Sequence, residues 1–272
     1  MGQKANIITL RKFEHNFNLL SYTSKNFIFV LKFITFIKFL FANKGVWVFS
    51  SVVNFISNKL YFTLDLFYRT SKITYYRKKG YISNINKINN KNKFVYLFAS
   101  VFKQFKNNYI SFSIKNLNRE VDIRLLKLLF QKTKKFSGVL FARRFGLYLD
   151  FLKITSLFCQ DKIKVANFLF LFAQIFRVLP KKSHTKFLSF LKILFRFIVQ
   201  ESFILDSKQQ NRIKGIKFII HGKLQGKPRA SFSCIQEGII PIQSFNKNVS
   251  FSKQHVYTLM GAFGLRIWVL KD

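Results

Sequence analysis

Gly-Ile-Lys-Phe-Ile-Ile-His-Gly-Lys-Leu-Gln-Gly, residues 215–226, decides how the carboxyl half of this chain folds. Ile216 to Ile220 is a short apolar run bounded by glycines and reads as a strand; Gly222, Gly226 and Pro228 mark the turn that follows. Toward the carboxyl end, Arg229 to Gln236 is a second strand closed by Glu237-Gly238, and residues 249–260 and 263–270 complete a β-rich end. Within the last segment Phe263, Leu265, Ile267 and Val269 alternate with Gly264, Arg266 and Trp268, the period of two expected of a sheet covered on one face. Toward the amino end the pattern is helical. Residues 163–179 form an apolar helix stopped by Pro180, whose ring disfavours helical geometry in the residue before it. Residues 182–200 form the next helix, with Phe187, Leu191, Leu194 and Ile198 on one face. The fold class is α+β, with helices packed on one face of a small sheet.

Farther upstream, Tyr-Ile-Ser-Phe-Ser-Ile (109–114) alternates as a strand and is closed by Asn116 to Asn118. Residues 119–135 carry Val121, Leu125, Leu128 and Leu129 at helical spacing, and residues 143–158 form a further helix. Residues 81–93 are an Asn/Lys-rich low-complexity stretch, read as a linker. The expected organisation is a helical extension over 1–80, that linker, a region over 94–162 and a carboxyl-terminal domain over 163–272. Residues 27–56 raise the question of a membrane span. Lys32, Lys38 and Lys44 interrupt them, and each lysine near a bilayer centre costs roughly 3 kcal/mol. Helices with snorkelling lysines and no membrane insertion are the expectation; a basic membrane-associated protein is the rival reading.

Charge narrows the function. Lys and Arg number 47 against 10 Asp and Glu, a formal net charge of +37 that would oppose compaction unless a polyanion neutralised it. Nucleic acid does so, because each phosphate contact releases condensed counterions. Hydrophobic residues make up 49% and Phe numbers 37, enough for a packed core and against a disordered basic tail. Abundant Phe, Lys, Ile and Asn with 3 Pro indicate an A+T-rich coding sequence of organellar, here mitochondrial, type. The first apolar stretch is short and broken by Arg11, Lys12 and Glu14, unlike a signal peptide, so synthesis within the organelle is expected.

Catalytic chemistry has few candidates. The carboxylates are dispersed; Glu120 and Asp122, the one close pair, stand at a helix start where acidic residues suit the dipole. The sequence holds no Walker loop or nucleophile elbow, and no acid cluster for Mg²⁺. Cys159 and Cys234 are far apart and read as small core residues, and the histidines at 15, 184, 221 and 255 as surface or structural ones. No enzyme activity, metal or cofactor is expected.

Binding has better candidates. On the 182–200 helix Lys182, Lys186, Ser189, Lys192 and Arg196 recur three or four residues apart without acidic partners, a stripe suited to phosphate. Lys223, Lys227 and Arg229 crowd the tight turn. Lys4, Arg11 and Lys12 at the amino end, Lys181 before the helix, and Lys253 and Arg266 in the β-rich end complete the candidate RNA-binding set. The aromatics are assigned mostly to the core; a base-stacking platform would need exposed Phe or Tyr on a strand.

The segment 215–226 resembles the glycine-punctuated strand and turn of the small-subunit ribosomal protein three family. The resemblance continues through Ala230, Glu237-Gly238, Pro241, Thr258, Gly261, Gly264 and Leu265-Arg-Ile-Trp-Val, and Met1-Gly-Gln-Lys is similar to the family's opening. The helix pair 163–200 stands where the family places two helices. The resemblance implies a structural protein of the small-subunit head that contacts small-subunit rRNA, neighbouring head proteins, and messenger RNA (mRNA) where it enters the subunit. It also implies channel-lining roles for Lys181, Lys182 and Lys186, although Phe187 and Phe190 stand where the family often has basic residues. A family KH domain carries a GxxG loop that clamps a nucleic-acid backbone. Gly138-Val-Leu-Phe fails that spacing, and Gly261-Ala-Phe-Gly264 reads as a close-packed turn, so the KH domain is expected to be degraded or absent.

Overall fold

The computed structural model describes residues 34–39, 41–42, 45–56, 59–69, 109–141, 145–205, 213–242, 244, 247–258 and 261–271. Its elements in chain order are β1 (Val46–Ile56), β2 (Lys59–Tyr68), β3 (Tyr109–Asn116), α1 (Ile123–Phe141), α2 (Phe145–Cys159), α3 (Val165–Val178), α4 (His184–Leu205), β4 (Ile213–Gly222), β5 (Ser231–Gly238), β6 (Val249–Thr258) and β7 (Gly261–Lys271). They fall into two units divided between Glu120 and Val121.

Over residues 46–56 and 59–68 the first unit corrects the expectation of a helical extension. Among the described residues before β1, 34–39 and 41–42 are helical. Residues 46–68 instead form an antiparallel pair with Ile56 opposite Lys59, and β3 adds in parallel to β2, giving the order β1-β2-β3. The cause is composition: Val46-Trp-Val-Phe and Ser51-Val-Val-Asn-Phe-Ile are β-branched and aromatic, and such residues suit a pleated surface better than a helix. Phe62, Leu64 and Leu66 alternate into the core, and Trp47 stacks on Phe67 at 6.0 Å. Asn118 closes the end of β2, donating to the Tyr68 carbonyl and accepting from its N–H, each at 2.9 Å. Residues 81–93, expected as a linker, lie outside the described residues.

The second unit gathers more than the expected 163–272 domain, because α1 and α2 belong to it as well. Asp122 caps α1 by accepting the Arg124 N–H at 2.8 Å, and Glu120, the last residue of the first unit, pairs with Lys115 of that unit at 3.1 Å, so both members of the acidic pair serve structure. A buried hydrogen bond of 2.7 Å between the Thr133 and Tyr148 hydroxyls ties α1 to α2. Rings from successive helices interlock. Phe136 meets Phe190 of α4 edge-on at 5.5 Å, and Phe151 lies 5.8 Å from Phe172 of α3. Phe172 and Phe195 then close on Phe218 of β4 at 5.3 and 6.0 Å. This is where much of the phenylalanine goes: each ring removes a large apolar area from water, and edge-to-face pairing adds about 0.5–1.5 kcal/mol per pair.

Helix α3 ends at Val178, with Leu179 extended before Pro180, as the proline dictates. The sheet is antiparallel in the order β5-β4-β7-β6. Phe218, Phe263, Leu265 and Ile267 are buried on the helix side, which is the expected alternation. Two expectations change. Gly261-Ala-Phe-Gly264 is no close-packed turn, since a Cβ on Gly261 would meet nothing within 4 Å and Gly264 lies within β7. Cys234 is exposed on β5 rather than buried, because positions 232, 234 and 236 share the face that no helix covers. No described helix is long and apolar enough to cross a membrane.

Candidate nucleic-acid interface

Two basic segments far apart in sequence meet at one end of the second unit. The short 3-10 turn Lys181–Ser183, which leads into α4, packs against the turn Leu224–Gly226 that follows β4. The second turn needs Gln225 at φ 61° and Gly226 at φ 75°, a left-handed pair that glycine makes cheap. A side chain at Gly226 would also press on the Lys181 stem, since a Cβ there would lie 3.1 Å from Lys181 Cδ. Lys181, Lys182, Thr185 and Gln225 line a shallow open groove between the two turns.

His184 holds this arrangement. Fully buried at the start of α4, it accepts the Gln225 N–H on Nδ1 at 3.1 Å. Its ring stacks on Phe176 at 4.9 Å and meets Phe263 edge-on at 5.8 Å. Burial among these rings pushes its pKa below the ordinary imidazole value, so the neutral ring that can accept a hydrogen bond is favoured. One histidine thereby fixes the turn carrying Lys223, Lys227 and Arg229 against the segment carrying Lys181, Lys182 and Lys186. All six cations are exposed. Neither segment, 181–186 or 223–229, contains an acidic residue. Like charges gathered at one end of the unit repel one another, and a bound anion relieves that repulsion.

The other expected residues separate into groups. Lys192 is exposed along α4, whereas Arg196 is paired with Glu237 of β5 at 3.7 Å and so fastens helix to sheet. Lys253 and Arg266 face each other in the β6–β7 register, both exposed, on the sheet face away from the helices. Lys4, Arg11 and Lys12 lie outside the described residues. Sequence reasoning missed His184 as the pin of the site, and it missed two strand aromatics, Phe232 and Tyr257, which are 71% and 73% exposed. Residue identity along β5 and β6 does not reveal which face a helix will cover.

Residues 192–269 match the family described as Ribosomal protein S3, C-terminal domain. The match takes in the second part of α4, strands β4, β5 and β6, and β7 as far as Val269; α3 and the Lys181–Lys186 segment precede it. Small ribosomal subunit protein uS3c of Thalassiosira pseudonana is 28% identical over 81 residues, covering 30% of this chain and 37% of that protein. The uS3c of Angiopteris evecta is 32% identical over 81 residues, covering 30% and 36%, and that of Oryza sativa is 31% identical, covering 30% and 33%. The chain thus spans only about a third of the length of the curated relatives it matches. The matched family is structural and not enzymatic. These relatives are chloroplast forms, and this overturns the mitochondrial expectation: they point to the plastid. An A+T-rich composition marks an organellar genome without distinguishing one organelle from another.

Proposed function

We propose that this chain is a structural constituent of a plastid-type small ribosomal subunit and binds its rRNA through the basic end of the second unit. The observation that carries this reading is the convergence of Lys181, Lys182 and Lys186 with Lys223, Lys227 and Arg229 around the His184–Gln225 bond. Exposed cations on two turns held together by a buried hydrogen bond need little backbone rearrangement to meet phosphates, and phosphate contacts set position rather than read sequence. Lys192 extends the contact along α4, and Lys253 and Arg266 extend it onto the sheet. Lys4, Arg11 and Lys12 complete the proposed set.

The similarity to uS3c supports placement in the small-subunit head. There the 181–186 segment would stand beside mRNA where it enters the subunit, with neighbouring head proteins around it. Phe187 and Phe190 are fully buried, so the channel-facing charge rests on Lys181, Lys182 and Lys186 alone. The test is ultraviolet crosslinking of the tagged chain in its own organelle, followed by sequencing of the bound RNA. Small-subunit rRNA is expected to dominate, with reads ending at nucleotides linked to peptides 181–186 and 223–229. Enrichment of large-subunit rRNA, or of no RNA, would refute the assignment.

A further inference from the structure

Building on the reading of this chain as an RNA-binding protein, we infer that the helix-free face of the four-stranded sheet is a second RNA site, which takes unpaired nucleotides by stacking. One face of the sheet is buried under helices; on the other, Phe232 of edge strand β5 and Tyr257 of edge strand β6 stand 71% and 73% exposed. Leaving an aromatic ring in water forfeits roughly 1.5–3 kcal/mol of burial, so two on one small face need a reason. One row farther along the same face, beyond the row of His255, Gly264, His221 and Phe232, Lys253 and Arg266 are directly opposed in register. Like charges so placed destabilise a sheet, and an anion lying between them reverses the sign.

The centre of this face is open. Gly264 pairs with His221 on one side and His255 on the other, and a Cβ there would find only the His221 Cβ, at 4.0 Å. Backbone without a side chain, flanked by an imidazole that itself lies 6.0 Å from Phe232, is a flat floor on which a planar base can rest. Farther along, Ile240 and Phe251 pack on Trp268 and Leu270, so the exposed patch is confined to the end of the sheet next to the 223–229 turn. No outward position on these strands is acidic. Exposed rings interleaved with cations fit single-stranded RNA, whose bases supply faces and whose phosphates supply charge. The patch then continues the phosphate-binding end, receiving the unpaired continuation of an RNA helix held by the turn.

The test measures binding of the full chain to a labelled ten-nucleotide oligouridine and to a labelled RNA duplex by fluorescence anisotropy. Phe232→Ala and Tyr257→Ala should each weaken oligouridine binding about five-fold or more and leave the duplex unaffected. Gly264→Leu, which meets no backbone obstruction, should give the same selective loss by filling the floor. Normal oligouridine affinity in all three variants would overturn the inference while leaving duplex binding, and the ribosomal reading, intact. Failure of the unaltered chain to bind either RNA would sink the reading on which it rests. Loss of a neighbouring ribosomal protein from the subunit, with oligouridine binding unaltered, would show a protein-docking face and equally overturn it.

Discussion

Removing three charges from the turn gives the most quantitative consequence of the proposed interface. Lys223, Lys227 and Arg229 are exposed, and their side chains make no ion pair among the described residues, so replacing all three with Ala should alter stability by no more than about 0.5 kcal/mol. Their effect on RNA should be large and of a particular kind. Each phosphate neutralised contributes about 0.9 to the slope of log affinity against log salt, so the triple variant should lose about 2.7 from that slope. Between about 50 and 200 mM salt, the affinity of the parent should therefore fall about 40-fold more than that of the variant. The assay is anisotropy titration of a small-subunit rRNA fragment across that salt range, with circular dichroism to verify folding. A control variant with Lys223→Arg and Lys227→Arg should keep the parental slope. A folded triple variant with an unchanged slope would refute the claim that this turn touches phosphate.

Other consequences follow from buried groups. Because burial depresses the pKa of His184, the folded state binds a proton less readily than the unfolded state. Its stabilising contribution is complete above the unfolded value of about 6.5 and erodes as pH falls from there toward the lower folded value, at up to about 1.4 kcal/mol per unit. Thermal unfolding should register this as a Tm falling roughly 3–5 °C per unit below about pH 6.5, and His184→Gln should flatten that dependence while lowering Tm overall. The two cysteines should behave differently: burial pushes the Cys159 thiol up to about 12, whereas Cys234 is exposed. Thiol titration of the native chain should count one reactive group, rising to two in denaturant; two in the native state would contradict the packing of α2. Phe172→Ala, removing a ring wedged between Phe151 and Phe218, should cost about 3–5 kcal/mol in a denaturant titration, and a cost near zero would contradict the described core.

The carboxyl-terminal sheet was legible because its signals were local. Period-two alternation along 263–269 set the face of β7, Pro180 set the end of α3, and Asp122 stood at the N-cap of α1. The β1–β2 pair was not legible, because lysines six residues apart in 27–56 read as snorkelling helix positions and the dense apolar sequence hid the alternation. The membership of α1 and α2 in the second unit rests on ring contacts such as Phe136 with Phe190, which involve residues more than fifty positions apart and leave no periodic trace. The site divided in the same way. Clustered charge identified Lys223, Lys227 and Arg229, but their meeting with Lys181 and Lys182 through His184 is a tertiary event. Arg196 shows the converse, because a basic stripe on a helix gives no sign that one of its members will be engaged by Glu237 on a strand.

The claim beneath all of this is that so positive a chain folds and works among RNA phosphates. Sedimentation of the tagged full chain through a sucrose gradient of organelle lysate tests it most directly. Co-migration with the small ribosomal subunit, lost after RNase or high salt, is the predicted result. Sedimentation as a free protein, or retention with the lipid fraction after a high-salt wash, would contradict it.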